Sequence, residues 1–292
     1  MKTITTTAGM RRWSEAARKK GRSVAFVPTM GYLHEGHLSL FARARREADV
    51  VAASIFVNPL QFGPREDLER YPRDLPRDAR LARRARCDVL FVPKALDMYP
   101  PGYRTHVAVE GTDDVLCGRS RPGHFSGVVT IVLKLVNLVR PDVLLLGQKD
   151  AQQAVVIKRA LDDLNAGVKV VVCPTVREKD GLAMSSRNSY LSPDERRRAL
   201  GISKALFLAR DAVLNGERRA SAIRARMKTV LADFGVADVE YVEILDGTEL
   251  TPLRRLGGDV LIAVAARVGR TRLIDNVNVK VGKSAARSGR TD

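Results

Sequence analysis

An α/β fold is predicted, with a parallel sheet in the first two thirds of the chain and a smaller α+β domain after it. Three observations carry this reading. Short, almost wholly apolar runs recur between residues 23 and 173, and segments of helical period lie between most of them. After about Asn188 the alternation stops, and two long helical segments are followed by three strand-like ones. Near-continuous apolar strands alternating with helices are the mark of a parallel sheet covered on both faces.

Taken in order, SVAFV (Ser23 to Val27) reads as a buried strand. HLSLFARARREAD (His37 to Asp49) has helical spacing, with Leu38, Phe41 and Ala42 on one side and arginines elsewhere. Further strands are VVAASIFV (Val50 to Val57), CDVLFVP (Cys87 to Pro93), DVLLLG (Asp142 to Gly147) and VKVVVC (Val168 to Cys173). Helical stretches cover Ser126 to Val139 and Asp150 to Leu164. Ligands of such sheets bind beyond the carboxyl ends of the strands, where strand order switches.

In the second part, Ser192 with Pro193 behind it and Glu195 at the third position forms a strong helix start. The two helices run to Gly216 and from Glu217 to Phe234. Strands follow at Ala237 to Leu245, Asp259 to Val268 and Thr271 to Val279, the last two joined by Gly269 and Arg270. The expected domains are therefore 1–187 and 188–292. The polar end, GKSAARSGRTD, is expected to be disordered. No internal repeat is present.

Of the 292 residues, 45% are hydrophobic and 28% charged, ordinary for a globular protein. The net charge of +17 and a pI near 10.3 are not ordinary, and raise nucleic acid or an anionic substrate as partners. The basic residues are dispersed at helical spacing, as in RDARLARRARC (Arg77 to Cys87), and aromatics are only 5%. They read as solvated helix faces, and no nucleic-acid partner is expected. Cys87, Cys117 and Cys173 are odd in number and lack C-x-x-C pairing, which fits a reducing cytosol and small buried side chains. The first residues hold no continuous apolar core of the kind a signal peptide needs, so none is expected, and no run is apolar enough to span a bilayer. A cytoplasmic protein without a membrane partner is expected.

The chemistry concentrates where the first strand hands over to its helix. PTMGYLHEGHLSL (Pro28 to Leu40) carries two of the four histidines, three residues apart. Zinc-protease ligation needs a spacing of four, so His34 and His37 do not match it. One reading makes both histidines helix caps. The other makes them phosphate contacts, with imidazole N–H groups at a helix N-terminus and Gly31 and Gly36 admitting a nucleotide close to the backbone. A second polar loop, VREKDGLAMSSRNSYLS (Val176 to Ser192), sets two hydroxyls and a guanidinium in succession at Ser185, Ser186 and Arg187. That suits phosphoryl oxygens, and equally a turn whose serines cap the next helix.

An early H-x-G-H with a late M-S-S-R resembles the paired signatures of the HIGH/KMSKS nucleotidylyltransferase superfamily. Three more stretches narrow the likeness: FVNPLQFGPREDLERYPRD, GRSRPGHFSGVVTIVLKL and LLLGQKDAQQ. Together the five resemble the pantothenate synthetase (pantoate–beta-alanine ligase) family, in family order from about Ser23 to Arg272. Another adenylyltransferase of the superfamily would lack NPLQFG and GQKDAQQ.

The resemblance implies a Rossmann-like first domain binding ATP and pantoate, with the second domain as its lid. It implies that pantoate is adenylated by ATP, with Mg2+, and that beta-alanine then takes the acyl group to give pantothenate. Carried over by position, Met30, Gly31, Tyr32, Leu33, His34, Glu35, Gly36 and His37 form the ATP loop, His37 being the proton donor. Gly147, Gln148, Lys149 and Asp150 hold the nucleotide, with Lys149 at the phosphates and Asp150 at the ribose. Val176, Met184, Ser185, Ser186 and Arg187 complete the ATP site. His34, His37, Lys149 and Arg187 are the implied catalytic set, and Arg187 is expected to arrive with the second domain when it closes. Gln61 and Gln153 are the implied pantoate contacts. His124 is expected near the site and His106 in a structural role. A homodimer is also implied, while the residues that hold Mg2+ stay unassigned.

Overall fold

The computed structural model describes residues 1–64, 66–111 and 114–282. The expected disorder of the C-terminal end falls, from residue 283 on, outside the described residues. Two compact units emerge. The first comprises Met1–Glu178 and Ala183–Asn188, the second Lys179–Leu182 and Ser189–Asp292.

The first unit contains β1 (Lys2–Ile4), α1 (Thr7–Lys19), β2 (Val24–Thr29), α2 (Glu35–Glu47), β3 (Val50–Ile55), α3 (Leu75–Arg84) and β4 (Val89–Phe91). It continues through α4 (Ala95–Met98), α5 (Cys117–Ser120), α6 (His124–Val139), β5 (Val143–Gly147), α7 (Ala151–Asp163) and β6 (Lys169–Cys173). All strand pairs of its sheet are parallel, in the order β1-β4-β3-β2-β5-β6. The Rossmann-like reading is thus met, with one addition. Lys2–Ile4 is a strand on the β4 edge, too short and threonine-rich to show any period in the sequence.

The centre of the sheet is dry. Val24, Ala25, Phe26 and Val27 on β2 are all fully buried, as are Val51 and Ala52 on β3 and Leu144 and Leu145 on β5. Burial of consecutive residues means both faces are covered, which is why these strands carry no polar alternation. Leu40, Phe41 and Ala44 of α2 close one face over Ala25, Val27, Leu90 and Leu145. From β2 the chain proceeds to β3 on one side, while β5 lies on the other. That reversal of order opens a crevice at the carboxyl ends of β2 and β5.

The second unit holds α8 (Pro193–Leu214), α9 (Ala220–Asp233), β7 (Asp238–Asp246), β8 (Gly258–Val268) and β9 (Thr271–Val281). Its three strands form an antiparallel sheet with β8 central. Ile202, Leu206, Ile223, Met227, Val242, Ile262 and Val264 make one apolar core between helices and sheet. The β8–β9 hairpin turns at Gly269, whose φ of +60° favours glycine and where a Cβ would fall on the Glu195 carboxylate.

Candidate functional site

The segment from Thr29 to His37 leaves the carboxyl end of β2 and is held by its own side chains. Thr29 donates from Oγ1 to the Ser54 carbonyl at 2.7 Å and accepts the Gly31 N–H at 3.2 Å. Gly31 and Tyr32 both have positive φ, +87° and +50°, so the turn is left-handed at two successive residues. Such a turn at a non-glycine residue must be held from outside. Asp78 on α3 does this, accepting the Tyr32 and Leu33 N–H groups at 2.7 Å each. Asp78 is only 1% exposed. One carboxylate of the arginine-rich α3 thus points inward, onto the turn, while Arg80, Arg83, Arg84 and Arg86 are exposed as the solvated-face reading expects.

His34 is the N-cap of α2, and its Nδ1 accepts the Gly36 N–H at 3.2 Å. His37, one turn on, accepts the His34 N–H at Nδ1, 3.3 Å. The capping reading and the phosphate reading thus concern different nitrogens. With Nδ1 occupied as an acceptor, each neutral ring carries its proton on Nε2, so each offers a donor. The ring centroids lie 4.1 Å apart. Burial, then the Lys149 ammonium, pushes His34 down to about 4. Burial, then His34, pushes His37 down to about 3. Both rings are neutral hydrogen-bond donors at neutral pH. Gly36 matters here for a local reason, since a Cβ on it would sit 2.8 Å from the His34 ring.

Across the crevice, β5 ends at Gly147, and Gln148–Asp150 form a 3₁₀ turn before α7. Lys149 Nζ stands 3.4 Å from Asp150 Oδ1. Burial works against the Asp150 charge, yet Lys149, Arg187 and His124 together keep its carboxyl below the usual aspartate range. His34 and His37 also feel Lys149 and Asp150. The two strand ends therefore form one electrostatic site.

The loop from Val176 to Asn188 adds a third side. The Met184 N–H bonds the Val176 carbonyl at 3.0 Å, and Arg177 bridges Ala183. A Cβ on Gly36 would lie 3.8 Å from Met184 Cβ, and Ser186 Oγ lies 3.5 Å from the Tyr32 carbonyl, so this loop borders the α2 turn. Arg187 makes a bidentate pair with Asp67 at 2.9 and 2.7 Å, and its guanidinium carbon is 5.7 Å from the Tyr71 ring centroid. The expectation that Arg187 arrives with the second domain is corrected. Residues 183–188 belong to the first unit, where a planar fork is fixed by a carboxylate of the same unit.

Gln61 is buried at the end of the 3₁₀ turn Pro59–Gln61. Its Nε2 donates to Met30 Sδ at 3.2 Å, tying it to the histidine turn. His124, the first residue of α6, donates from Nδ1 to the Gln61 carbonyl at 2.8 Å and takes an Arg121 N–H on Nε2 at 2.9 Å. Burial and Arg121 push His124 down to about 4. Arg121 also pairs with Glu66 at 2.5 Å and reaches the Gln61 carbonyl. Gln153 lies half-buried on the first turn of α7, whereas its neighbour Gln152 is buried and spent on Cys117 and Val115. His106 packs edge-on against Tyr103.

Asn58, Asp67, Tyr71, Asp78 and Arg121 were not singled out from the sequence. Each acts through a partner dozens of residues away. The one local signal is the string of carboxylates, Glu66, Asp67 and Asp78, inside an otherwise arginine-rich stretch.

Comparison with known proteins is consistent along the whole chain. The family described as Pantoate-beta-alanine ligase matches residues 2–278. A pantothenate synthetase from Moorella thermoacetica is 53% identical over 96% of this chain and 99% of its own. One from Thermotoga petrophila is also 53% identical, over 94% of this chain and 99% of its own. The crystal structure of pantothenate synthetase from Thermus thermophilus superposes with a TM-score of 0.91 at 44% identity, covering 96% of this chain and all of that one. A pantoate-beta-alanine ligase from Francisella tularensis, complexed with "Beta-gamma ATP and Beta-alanine", gives 0.77 at 33% identity, covering 95% and 97%.

Proposed function

We propose, from the premise that this chain belongs to the pantoate-beta-alanine ligase family, that it joins pantoate to beta-alanine at the expense of ATP. The reaction runs in two displacements. A pantoate carboxylate oxygen attacks the α-phosphorus of ATP, and pyrophosphate leaves. The beta-alanine amine then attacks the acyl carbon of pantoyl adenylate, and AMP leaves with the pantothenate amide formed.

The observation that carries this reading is the pair of neutral imidazoles at the start of α2, facing Lys149 and Asp150 across the strand-order switch. Charge builds on the β- and γ-phosphates as pyrophosphate departs, and fixed donors aimed at it stabilise the transition state more than the ground state. His34 and His37 supply Nε2–H groups at a helix N-terminus, where backbone N–H groups also favour an anion. With pKa values of about 4 and about 3, they act as hydrogen-bond donors and not as imidazolium acids. Lys149 adds an ammonium, and Ser185, Ser186 and Arg187 line the third side. Gln61 and Gln153 take the pantoate, because an amide donates to a carboxylate and accepts from a hydroxyl.

Magnesium enters as part of the ATP complex. Among the described residues no cluster of three or more metal-type side chains occurs. Mg2+ bound to a nucleotide is held largely by phosphates and water, with one or two carboxylates at most. The second unit is assigned the part of a lid. A homodimer, a cytoplasmic location and a place in coenzyme A supply complete the reading. Among the described residues, no helix is long and apolar enough to cross a membrane.

The test is pyrophosphate exchange into ATP. Exchange is expected with pantoate and without beta-alanine, and pantothenate is expected once beta-alanine is added. Exchange driven by amino acids but not by pantoate would overturn the assignment.

A further inference from the structure

Gln61 is one end of a chain of hydrogen bonds whose other end is a phenol. Tyr99, just after α4, donates from its hydroxyl to Asn58 Oδ1 at 2.6 Å. Asn58 Nδ2 donates to the Gly127 carbonyl at 3.1 Å and to Gln61 Oε1 at 3.0 Å. The Leu60 N–H adds a longer contact to Asn58 Oδ1, 3.4 Å. Asn58 is 1% exposed, so all four of its bonding positions are filled inside the protein.

The polarity of this chain has one solution. Gly127 O can only accept and Leu60 N–H can only donate, which fixes the Asn58 amide, and its oxygen then needs the Tyr99 hydroxyl as donor. Asn58 Nδ2 in turn occupies Gln61 Oε1. A flipped Gln61 would set two N–H groups against each other. The Gln61 amide is therefore fixed in one orientation, with one lone pair of Oε1 engaged and Nε2 keeping one N–H, beyond its contact with Met30 Sδ, to offer a ligand. We propose that Tyr99 is a positioning residue which, through Asn58, fixes the Gln61 amide so that its Nε2 presents a donor to an acceptor oxygen of the acid substrate, its carboxylate. This rests on the assignment of Gln61 to pantoate.

The surroundings fit a fixed donor. The Tyr99 ring is flanked by Phe56 and Tyr103, at centroid distances of 6.2 and 5.1 Å, with Lys134 Nζ 5.6 Å from its centroid. Burial and Tyr103 raise the phenol, so it keeps its proton at every working pH. Helix α6 presses on the turn so closely that a Cβ at Gly127 would meet the Leu60 carbonyl at 2.3 Å. The relay thus connects α4, the 58–61 turn and α6 by direct contacts.

Tyr99→Phe keeps the ring and removes only the donor. The KM for pantoate is expected to rise roughly five- to tenfold, the scale of one buried hydrogen bond, with the KM for ATP unchanged. Tyr103→Phe, in the same aromatic cluster but without a bond to Asn58, is expected to leave both constants alone. An unaltered pantoate KM in Tyr99→Phe, or equal rises for pantoate and ATP, would overturn the proposal. Should Tyr99→Phe fail to fold, Asn58→Asp carries the test. It keeps the acceptor for Tyr99 and removes both donors, so pantoate KM must rise at least as much with ATP KM held. A wild-type protein without pantoate-dependent exchange would instead sink the assignment of function.

Discussion

Among the described residues, two helices start with a reciprocal side-chain cap, and they use different chemistry. At α8, Ser192 accepts the Glu195 N–H at 3.2 Å and Glu195 accepts the Ser192 N–H at 2.9 Å. That is the arrangement local propensity favours, exposed to water. At α2 the same positions hold His34 and His37, half-buried, with bonds of 3.2 and 3.3 Å. Imidazoles are poorer caps and are costly to bury. What they add is a second nitrogen each, pointing away from the cap. A helix start built only for stability would resemble α8. In the proposed function, the departure at α2 is where a local rule yields to chemistry.

The largest expected effect comes from making the two ends alike. His34→Ser with His37→Glu would turn the α2 start into a capping box. The helix is expected to hold or gain up to about 1 kcal/mol of stability from a better cap. Pantoate-dependent pyrophosphate exchange is expected to fall by at least about a hundredfold, since one lost donor to a developing anion typically costs about 3 kcal/mol. Calorimetry and exchange on the same preparation check both halves. Retained exchange would reduce the histidines to caps.

Next in size is the anchor beneath the turn. Asp78→Asn leaves one acceptor where Tyr32 and Leu33 each present an N–H at 2.7 Å. A charge-assisted bond of this kind is worth about 1.5 to 3 kcal/mol. A fall of that order in unfolding free energy is expected, with a tenfold or greater drop in turnover as the left-handed turn at Gly31 and Tyr32 loosens. Denaturant titration and turnover report the two. The start of α8 is held by a carboxylate of its own first turn, Glu195, and not by one from another helix, so the α2 end is expected to show this sensitivity.

How much of this was legible follows the range of the interactions. Four of the six strands of the parallel sheet could be read because burial on both faces leaves continuous apolar runs, and β6, half-exposed at the edge, because its Val170–Val172 run is apolar all the same. Their order could not, because pairing of β2 with β5 joins residues more than a hundred apart and leaves no local trace. His34 and His37 were visible as a strand-to-helix handover, and Ser192 with Glu195 as a helix start, since caps are written within four residues. Asp78 was hidden because an inward carboxylate on an arginine-rich helix looks like any other charge. Asp67 was hidden likewise, and with it the reason why Arg187 belongs to the first unit. Asn58 lay inside a quoted motif, yet its role depends on Tyr99 and Gly127, which no spacing connects to it.

Acid separates the two ends more gently. The folded pKa values of His34 and His37, about 4 and about 3, lie below the 6.5 of an unconstrained imidazole. Between these values the unfolded chain binds more protons than the folded one, so stability is highest above about pH 6.5 and declines as pH falls towards 4. Urea midpoints between pH 7.5 and 5 are expected to show this slope. They are expected to show less of it in a His34→Asn, His37→Gln variant, which cannot titrate there. An identical slope in both proteins would place the sensitivity elsewhere.

The smallest effect expected is at the other cap, and its smallness is the control for the comparison. Ser192→Ala removes the oxygen that accepts the Glu195 N–H, leaving an orphan donor that water can reach. Loss of such a cap costs about 1 kcal/mol. Glu195 keeps its bond to the Ser192 backbone N–H, which survives the substitution, and Pro193 still pre-sets the first turn. The second unit is therefore expected to fold normally, with a slightly lower melting temperature. Its apolar core between α8, α9 and the sheet does not involve the cap, so nothing else in the unit need move. The KM values for ATP and pantoate and the exchange rate are expected to match wild type. A large loss of exchange in Ser192→Ala would mean that α8 begins a functional element after all, and that its conventional cap conceals a role equal to that of α2.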